Sequence, residues 1–202
     1  QVALLQKGLS LTPSDRFMNW MPMSHDFGLF HFHILPLLSA VPQMLMAPEE
    51  FSRRPISWVR AMSDFKATHS GAPNLALEIV ANVIKPERAA QFNLSHMRGI
   101  TLGAEPLVPA NLTRFADALV DAKLSPSALQ PAYGLAEATL VISMRAGLET
   151  ITVSRQALEP GFQIKLLDTD AHDAIVLLLL GRAIDGAEMR IVNNDGSVLD
   201  VH

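Results

Sequence analysis

The chain reads as an α/β fold: a mostly parallel sheet flanked by helices, followed by a smaller β-rich unit. Three observations predict it. Short apolar stretches alternate with longer ones whose apolar residues recur at helical spacing, and strands apolar on both faces belong to parallel sheets covered by helices. Several of these short stretches run into loops of small residues, as at Ser70-Gly71-Ala72 and Gly103-Ala104. After about Gly147 the helical spacing stops, and apolar stretches follow one another across turns. The expected organisation is therefore an α/β core over 1–147 and a β-rich unit over 148–202.

In chain order, Gln1 opens directly into an amphipathic helix. A second helix is expected from about Gly28 to Ser39, with Ser24 or Asp26 capping it and His25 exposed. Met44-Leu45-Met46 is a short strand closed by Ala47-Pro48. Arg54 to Lys66 carries Ile56, Trp58, Val59, Met62 and Phe65 at helical spacing, with Pro55 near the first turn. Ala67 to Ser70 is a strand ending at Gly71. Asn74 to Ile84 is a helix on Leu75, Leu77, Ile79, Val80 and Val83 that stops at Pro86. Gly99 to Leu102 is a buried strand, and Pro109 to Val120 a helix with Leu112, Phe115, Ala116 and Leu119 on one face. Ala128 to Pro131 is a strand feeding Tyr133-Gly134, and Ala136 to Ile142 is expected to start a further helix. Beyond the boundary, Ile151 to Val153, Ile164 to Leu167, Ile175 to Leu180 and Ala187 to Val192 read as strands.

Composition removes several classes of function. With 49% hydrophobic and 18% charged residues, the 202-residue chain has ample material for a core. Its 16 Lys and Arg against 20 Asp and Glu leave a net charge of −4, without the basic footprint of a nucleic-acid binder or a polybasic membrane surface. The absence of cysteine excludes disulfides, thiolate zinc sites and cysteine nucleophiles. The longest apolar run, Ala174 to Leu180, is far short of the roughly 20 residues that span a bilayer, and no signal peptide opens the chain. No nucleic acid, no membrane span and a cytoplasmic location are the expectations. A start at Gln1 and a stop at Val201-His202, just after the turn Asn193-Asn194-Asp195-Gly196, suggest a segment of a longer protein.

Open α/β sheets bind ligands beyond the carboxyl ends of their strands. The loops there are Ser70-Gly71-Ala72-Pro73-Asn74, Gly103-Ala104-Glu105-Pro106 and Tyr133-Gly134-Leu135-Ala136-Glu137, small enough for backbone to touch a ligand. Tyr133, the sole tyrosine, followed by Gly134 and the carboxylate of Glu137, suits a purine stacked on the ring with a metal-bound phosphate beyond it. Strand-to-helix turns use glycine without any ligand, so each loop alone is weak evidence. Ser24-His25-Asp26 is polar between apolar flanks, which fits a cavity lining, a capped helix N-terminus, or both.

Two sharper ideas fare poorly. His25, His31 and His33 lack the i, i+4 spacing of a helical two-histidine metal site, so packing or surface roles are expected. Ser24, His25 and Asp26 are adjacent in sequence, where triad geometry is rare, and no Gly-x-Ser-x-Gly elbow occurs. Met21, Met23, Met44, Met46, Leu75 and Leu77 suit either an apolar tunnel or ordinary core packing, and their spacing favours the core.

Taken together, six segments resemble the adenylate-forming superfamily of acyl and aryl ligases. They are Trp20-Met-Pro-Met-Ser-His-Asp-Phe-Gly28, Phe51-Ser-Arg-Arg-Pro-Ile-Ser-Trp58, Ser70-Gly-Ala-Pro-Asn74, Gly103-Ala-Glu-Pro106, Tyr133-Gly-Leu-Ala-Glu-Ala-Thr139 and Gly181-Arg-Ala-Ile-Asp-Gly186. The match is closest to fatty acyl-AMP ligases and the related loading domains of hybrid polyketide and nonribosomal peptide synthetases, and runs from about Leu11 to Asn194.

The resemblance implies an incomplete N-terminal domain of such an enzyme. It implies activation of a fatty or other carboxylic acid by ATP, with Mg²⁺, to an acyl-adenylate and pyrophosphate. The acyl group then passes to the phosphopantetheine thiol of a carrier protein. By the same resemblance Gly103, Ala104 and Glu105 border adenine, Tyr133 stacks on it, and Gly134, Leu135 and Ala136 lie beside the α-phosphate. Glu137 binds magnesium, and catalytic roles fall to His25 and Glu137. His25 and Asp26 lie near the reacting carboxylate, and Ser70, Gly71, Ala72, Pro73 and Asn74 wall the acyl pocket. The family's phosphate loop and its C-terminal domain with a catalytic lysine fall outside the chain, so the isolated segment is expected to be inactive. An acyl-CoA synthetase of the same superfamily and a non-catalytic nucleotide-binding or docking module of this fold are the alternatives.

Overall fold

The computed structural model describes residues 1–159, 163–193 and 195–199. Residues 160–162, 194 and 200–202, which include the end of the expected β-rich unit, lie outside the described residues. In order, the elements are α1 (Val2–Gly8), β1 (Phe17–Asn19), a π-helical segment (Phe27–Ile34) running into α2 (Leu35–Leu38), β2 (Gln43–Leu45), α3 (Pro48–Arg53), α4 (Ile56–Phe65), β3 (His69–Ala72), α5 (Asn74–Val83), α6 (Pro86–Ala89), β4 (Gly99–Leu102) and α7 (Pro109–Ala118). There follow β5 (Leu129–Gly134), β6 (Val141–Met144), β7 (Thr150–Ser154), β8 (Ala174–Leu178) and β9 (Arg182–Ala183).

Seven strands form one sheet in the order β2-β1-β3-β4-β5-β6-β9. The first five are parallel; β6 and β9 are antiparallel to their neighbours. Every residue of β1, β3 and β4 is buried, as strands covered by helices on both faces must be. The helices supply matching apolar stripes: Trp58, Val59 and Met62 from α4, Ala76, Leu77 and Val80 from α5, and Leu112, Phe115 and Ala116 from α7. Pro109 starts α7, and Lys66 in the left-handed conformation ends α4. Strands β7 and β8 pair separately, Thr150 opposite Leu178 through Ser154 opposite Ala174. Past residue 147, β9 returns to the main sheet by pairing with β6.

Several expectations are corrected. Ala136 to Ile142 is no helix: a single 3₁₀ turn, Ala136–Ala138, is followed by β6. Thr139, at φ 73, breaks the helical path, and the Leu135 N–H donates to the Leu140 carbonyl, turning the chain back against β5. The helix expected from Gly28 is π-helical over its first eight residues before α2. Ile164 to Leu167 contributes one bridge, Leu166 to Val153, and Ala187 to Val192 one bridge, Val192 to Val198, rather than strands. The strands β1 and β9 and the short helices α3 and α6 were not anticipated from spacing.

At the amino ends of the parallel strands lies a polar clasp around the buried Asp15. Asp15, Thr68 and Arg98 precede β1, β3 and β4. Asp15 accepts from the Thr68 hydroxyl at 2.8 Å, the Thr12 N–H at 2.7 Å and an Arg98 guanidinium N–H at 2.5 Å. Burial alone would raise the Asp15 pKa; these hydrogen bonds outweigh it and hold it near 2.

Candidate active site

The order β2-β1-β3-β4-β5 grows to one side of β1 and then to the other, and ligands of open α/β sheets bind at such a reversal, outside the carboxyl ends of the strands. A cleft of about 640 Å³ lies there. Thr101, Gly103 and Ala104 line it from β4 and its loop, and Ala132 through Ala136 from β5 and the turn after it. Leu140 and Val141 line it from β6 and the loop before it, while Ser24 through Phe27, Leu29 and Phe30 come from the segment after β1.

Local sequence explains how each wall is held. Asp26 caps the π-helical segment, accepting the Phe27 N–H at 2.7 Å, and His25 Nδ1 accepts the same N–H at 3.1 Å. His25 Nδ1 lies 2.6 Å from Asp26 Oδ1, at a partly exposed position facing the cleft. A Cβ on Gly28 would overlap the Pro22 carbonyl, so glycine lets the loop fold against its own start. Tyr133 is 48% exposed, its ring available as a face. The register of β5 and β6 shifts between Tyr133 and Gly134, and a Cβ on Gly134 would overlap the Leu140 carbonyl oxygen.

The structure therefore brings together His25, Asp26, Gly103, Ala104, Tyr133, Gly134, Leu135 and Ala136. Glu137 stands one residue beyond that wall, exposed, with no ion pair or side-chain hydrogen bond among the described residues. Glu105 does not line the cleft: its Oε1 accepts the Leu75 N–H at 2.6 Å, and Asn74 Oδ1 accepts the Val108 N–H at 3.0 Å, stapling the loops after β3 and β4. Ser70, Gly71 and Ala72 are buried within β3, and neither they nor Pro73 and Asn74 line the cleft. Ser70 Oγ accepts from Trp58 Nε1 and donates to the Met18 carbonyl, both at 2.9 Å. The Gly71 carbonyl accepts from Trp20 Nε1 at 3.1 Å, and a Cβ there would overlap the Phe32 ring. Their smallness serves packing. The tunnel idea also falls. Met21 and Leu77 are in the core, Met44 and Met46 pack against it, and Met23 and Leu75 are exposed outside the cleft.

Sequence reasoning passed over Thr101, Phe27, Leu29, Phe30, Ala132, Leu140 and Val141, all of which line the cleft. One signal was available for Thr101, the only polar residue of β4. Behind it, His31 is fully buried, with Nε2 3.2 Å from Thr101 Oγ1 and Nδ1 without a partner. Burial first, then the neighbouring His69, lowers its pKa to about 3. His69 stacks on Phe17 with ring centroids 4.8 Å apart, and burial lowers its pKa to about 4 against the opposing pull of Asp15.

A helix-covered sheet of this order, with its cleft at the reversal, is the architecture of the N-terminal domain of adenylate-forming enzymes. The chain belongs to the AMP-binding enzyme family, which it matches over residues 1–201. It is 35% identical over 179 residues to the medium-chain fatty-acid acyl-carrier-protein ligase JamA of Moorena producens, covering 86% of this chain and 30% of that one. It is 31% identical to a putative acyl-CoA synthetase of Caulobacter vibrioides, covering 98% and 35%. Among solved structures, one from work on fatty acyl-adenylate ligases of E. coli and L. pneumophila superposes with a TM-score of 0.92 at 26% identity, over 98% of this chain and 36% of that one. The chain thus spans about a third of the length of these relatives. Among the described residues no helix is long and apolar enough to cross a membrane.

Proposed function

We propose that this chain forms the nucleotide- and acid-binding core of a ligase that activates a fatty acid with ATP and passes the acyl group to the phosphopantetheine thiol of a carrier protein. The observation that carries the reading is the meeting, in one cleft at the switch of the sheet, of an exposed aromatic face, a close backbone turn and the His25-Asp26 pair. A carboxylate oxygen of the acid forms a bond to the α-phosphorus, the bond to the pyrophosphate oxygen breaks, and pyrophosphate leaves. Both reactants are anions, so neutralisation and positioning are the levers available to the protein. On this reading Tyr133 offers its face to adenine, and the Gly134 to Ala136 backbone, which lines the same cleft, flanks the α-phosphate. His25 and Asp26 position the acid.

Magnesium fits the donors present. Glu137 offers a hard, exposed, unpaired carboxylate next to the cleft wall, and no group of three His, Cys, Asp or Glu gathers among the described residues. One carboxylate plus substrate phosphates is an ordinary set for this ion. Bound there, it would supply positive charge to the phosphate oxygens.

The test is carboxylate-dependent exchange of pyrophosphate into ATP by the full-length protein. Glu137→Gln should lower the rate roughly a hundredfold, the scale for loss of a charge-stabilising group. Equal exchange by wild type and variant removes Glu137 from the metal role. The relative from Caulobacter favours a second reading, in which the acceptor is coenzyme A. Giving the adenylating protein each thiol separately decides between them: acylation of the carrier supports the first, and of coenzyme A the second.

A further inference from the structure

A second concavity, a groove of about 640 Å³ among α3, α4, α5 and α6, shares no residue with the cleft. Three arginines line it: Arg54 from the turn before α4, Arg60 from α4 and Arg88 from α6. Ile56, four residues before Arg60 and so on the same helix face, joins Pro55 and Val83 in an apolar floor. The spacing of α5 puts Val83 with its core residues, yet it is 50% exposed and turned to the groove. Among the described residues none of the three guanidiniums forms an ion pair, and Arg88 donates only to Gln91 Oε1, at 2.6 Å. Glu50 is the single carboxylate on the wall, and the Ser57 hydroxyl is taken up by the Arg54 carbonyl at 2.7 Å.

Guanidinium does not discharge at physiological pH, so three of them against one carboxylate leave this groove positive on a chain whose net charge is −4. Their planar forks suit a carboxylate. Inorganic phosphate would answer the charge and leave the floor wet, and a neutral lipid would cover the floor and leave the charge. An amphiphilic anion meets both needs, and the groove has the volume and the mostly apolar wall of an ordinary small-molecule site. We propose that the groove is a second binding site, for a fatty-acid anion held by the arginines with its chain along Pro55, Ile56 and Val83. The choice of a fatty acid among amphiphilic anions rests on the reading of this chain as part of an acid-activating ligase.

The test is equilibrium dialysis of radiolabelled dodecanoate, below its micelle concentration, against the full-length protein. Its acid site is first filled with dodecanoyl-sulfamoyl adenosine, an unreactive mimic of the acyl-adenylate. Dodecanoate should still bind, and salt should weaken it. The double variant Arg60→Ala/Arg88→Ala should lose roughly tenfold or more in that affinity, the scale of one hydrogen bond to a charged group. Val83→Asp, at an exposed position, should weaken it by like-charge repulsion, and dodecanol should fail to compete. Pyrophosphate exchange should be unchanged in both variants. No binding beyond the mimic, an affinity unchanged in the double variant, or competition by inorganic phosphate as strong as by unlabelled dodecanoate overturns the groove assignment, while exchange still upholds acid activation. Silence in exchange with every acid overturns acid activation, and the arginine dependence of dodecanoate binding then decides the groove by itself.

Discussion

Ser70 and Gly134 show how the same residue types serve opposite ends. In sequence both fall in runs of small residues and read alike; in the structure Ser70 is the second residue of β3 and Gly134 the last of β5. Ser70 is spent on packing: its hydroxyl is the acceptor for the buried indole N–H of Trp58. Ser70→Ala leaves that donor unpaired and should cost about 1–3 kcal/mol in denaturant unfolding, with little effect on the KM for the acid. A comparable rise in KM would return Ser70 to the binding site. Gly134 faces backbone rather than side chain, since an added Cβ meets the Leu140 carbonyl oxygen. Neither strand can yield without breaking the β5-β6 pairing, so Gly134→Ala should destabilise by about 2 kcal/mol or more. An unchanged midpoint would mean that the loop from Leu135 to Leu140 is softer than its hydrogen bonds imply. Tyr133, Gly134 and His25 were legible because their chemistry is conspicuous in a run of small or apolar neighbours. The inward direction of Ser70 was not, because it depends on a tryptophan twelve residues away meeting it in space.

Among elements, β4, α5 and α7 were legible nearly to the residue because each carries an unbroken period bounded by glycine or proline. β1 has only three residues, too few to show alternation, and β6 was hidden by Ala136-Glu137-Ala138, whose helical propensity is overruled by the turn at Thr139. The π-helical segment carries Phe30 in the cleft wall and the buried His31 next to it in sequence. Two buried histidines, His31 behind Thr101 and His69 beside Asp15, make the fold sensitive to pH in a defined direction. His31 and His69 have folded pKa values near 3 and 4, below the 6.5 of the unfolded chain. Their stabilising effect is complete above pH 6.5 and lost as pH falls from there, by up to about 1.4 kcal/mol per pH unit for each histidine. Asp15, depressed from 3.8 to about 2, adds its own loss only as pH falls below about 4. Melting temperature should therefore decline between pH 7 and 5, and His69→Gln should flatten that slope. A slope equal in variant and wild type would show that His69 does not titrate on unfolding.

For the molecule as a whole, the charge balance and the cleft have to be read together. The chain carries a net charge of −4, and among the described residues no lysine or arginine lines the cleft, while Asp26 lines it and Glu137 stands beside it. On the function proposed above, a nucleotide would stack on Tyr133 and contact the turn backbone, with the Asp26 and Glu137 carboxylates repelling its phosphates. Without divalent cation the chain should bind adenosine more tightly than AMP, and AMP more tightly than ATP. Like charges several ångströms apart in water-exposed surroundings cost about 0.5 kcal/mol a pair, so three or four such pairs make a difference of roughly tenfold or more across the series. The spread should shrink in high salt, where such charges are screened. Magnesium should recover ATP preferentially, since it cancels phosphate charge and can be held by Glu137. Titration calorimetry with and without chelator at low ionic strength measures the order directly. Metal-free ATP bound as tightly as adenosine would place an unsuspected cationic group at the phosphates, and the neutralising role argued for Glu137 and its ion would then have to be divided with it.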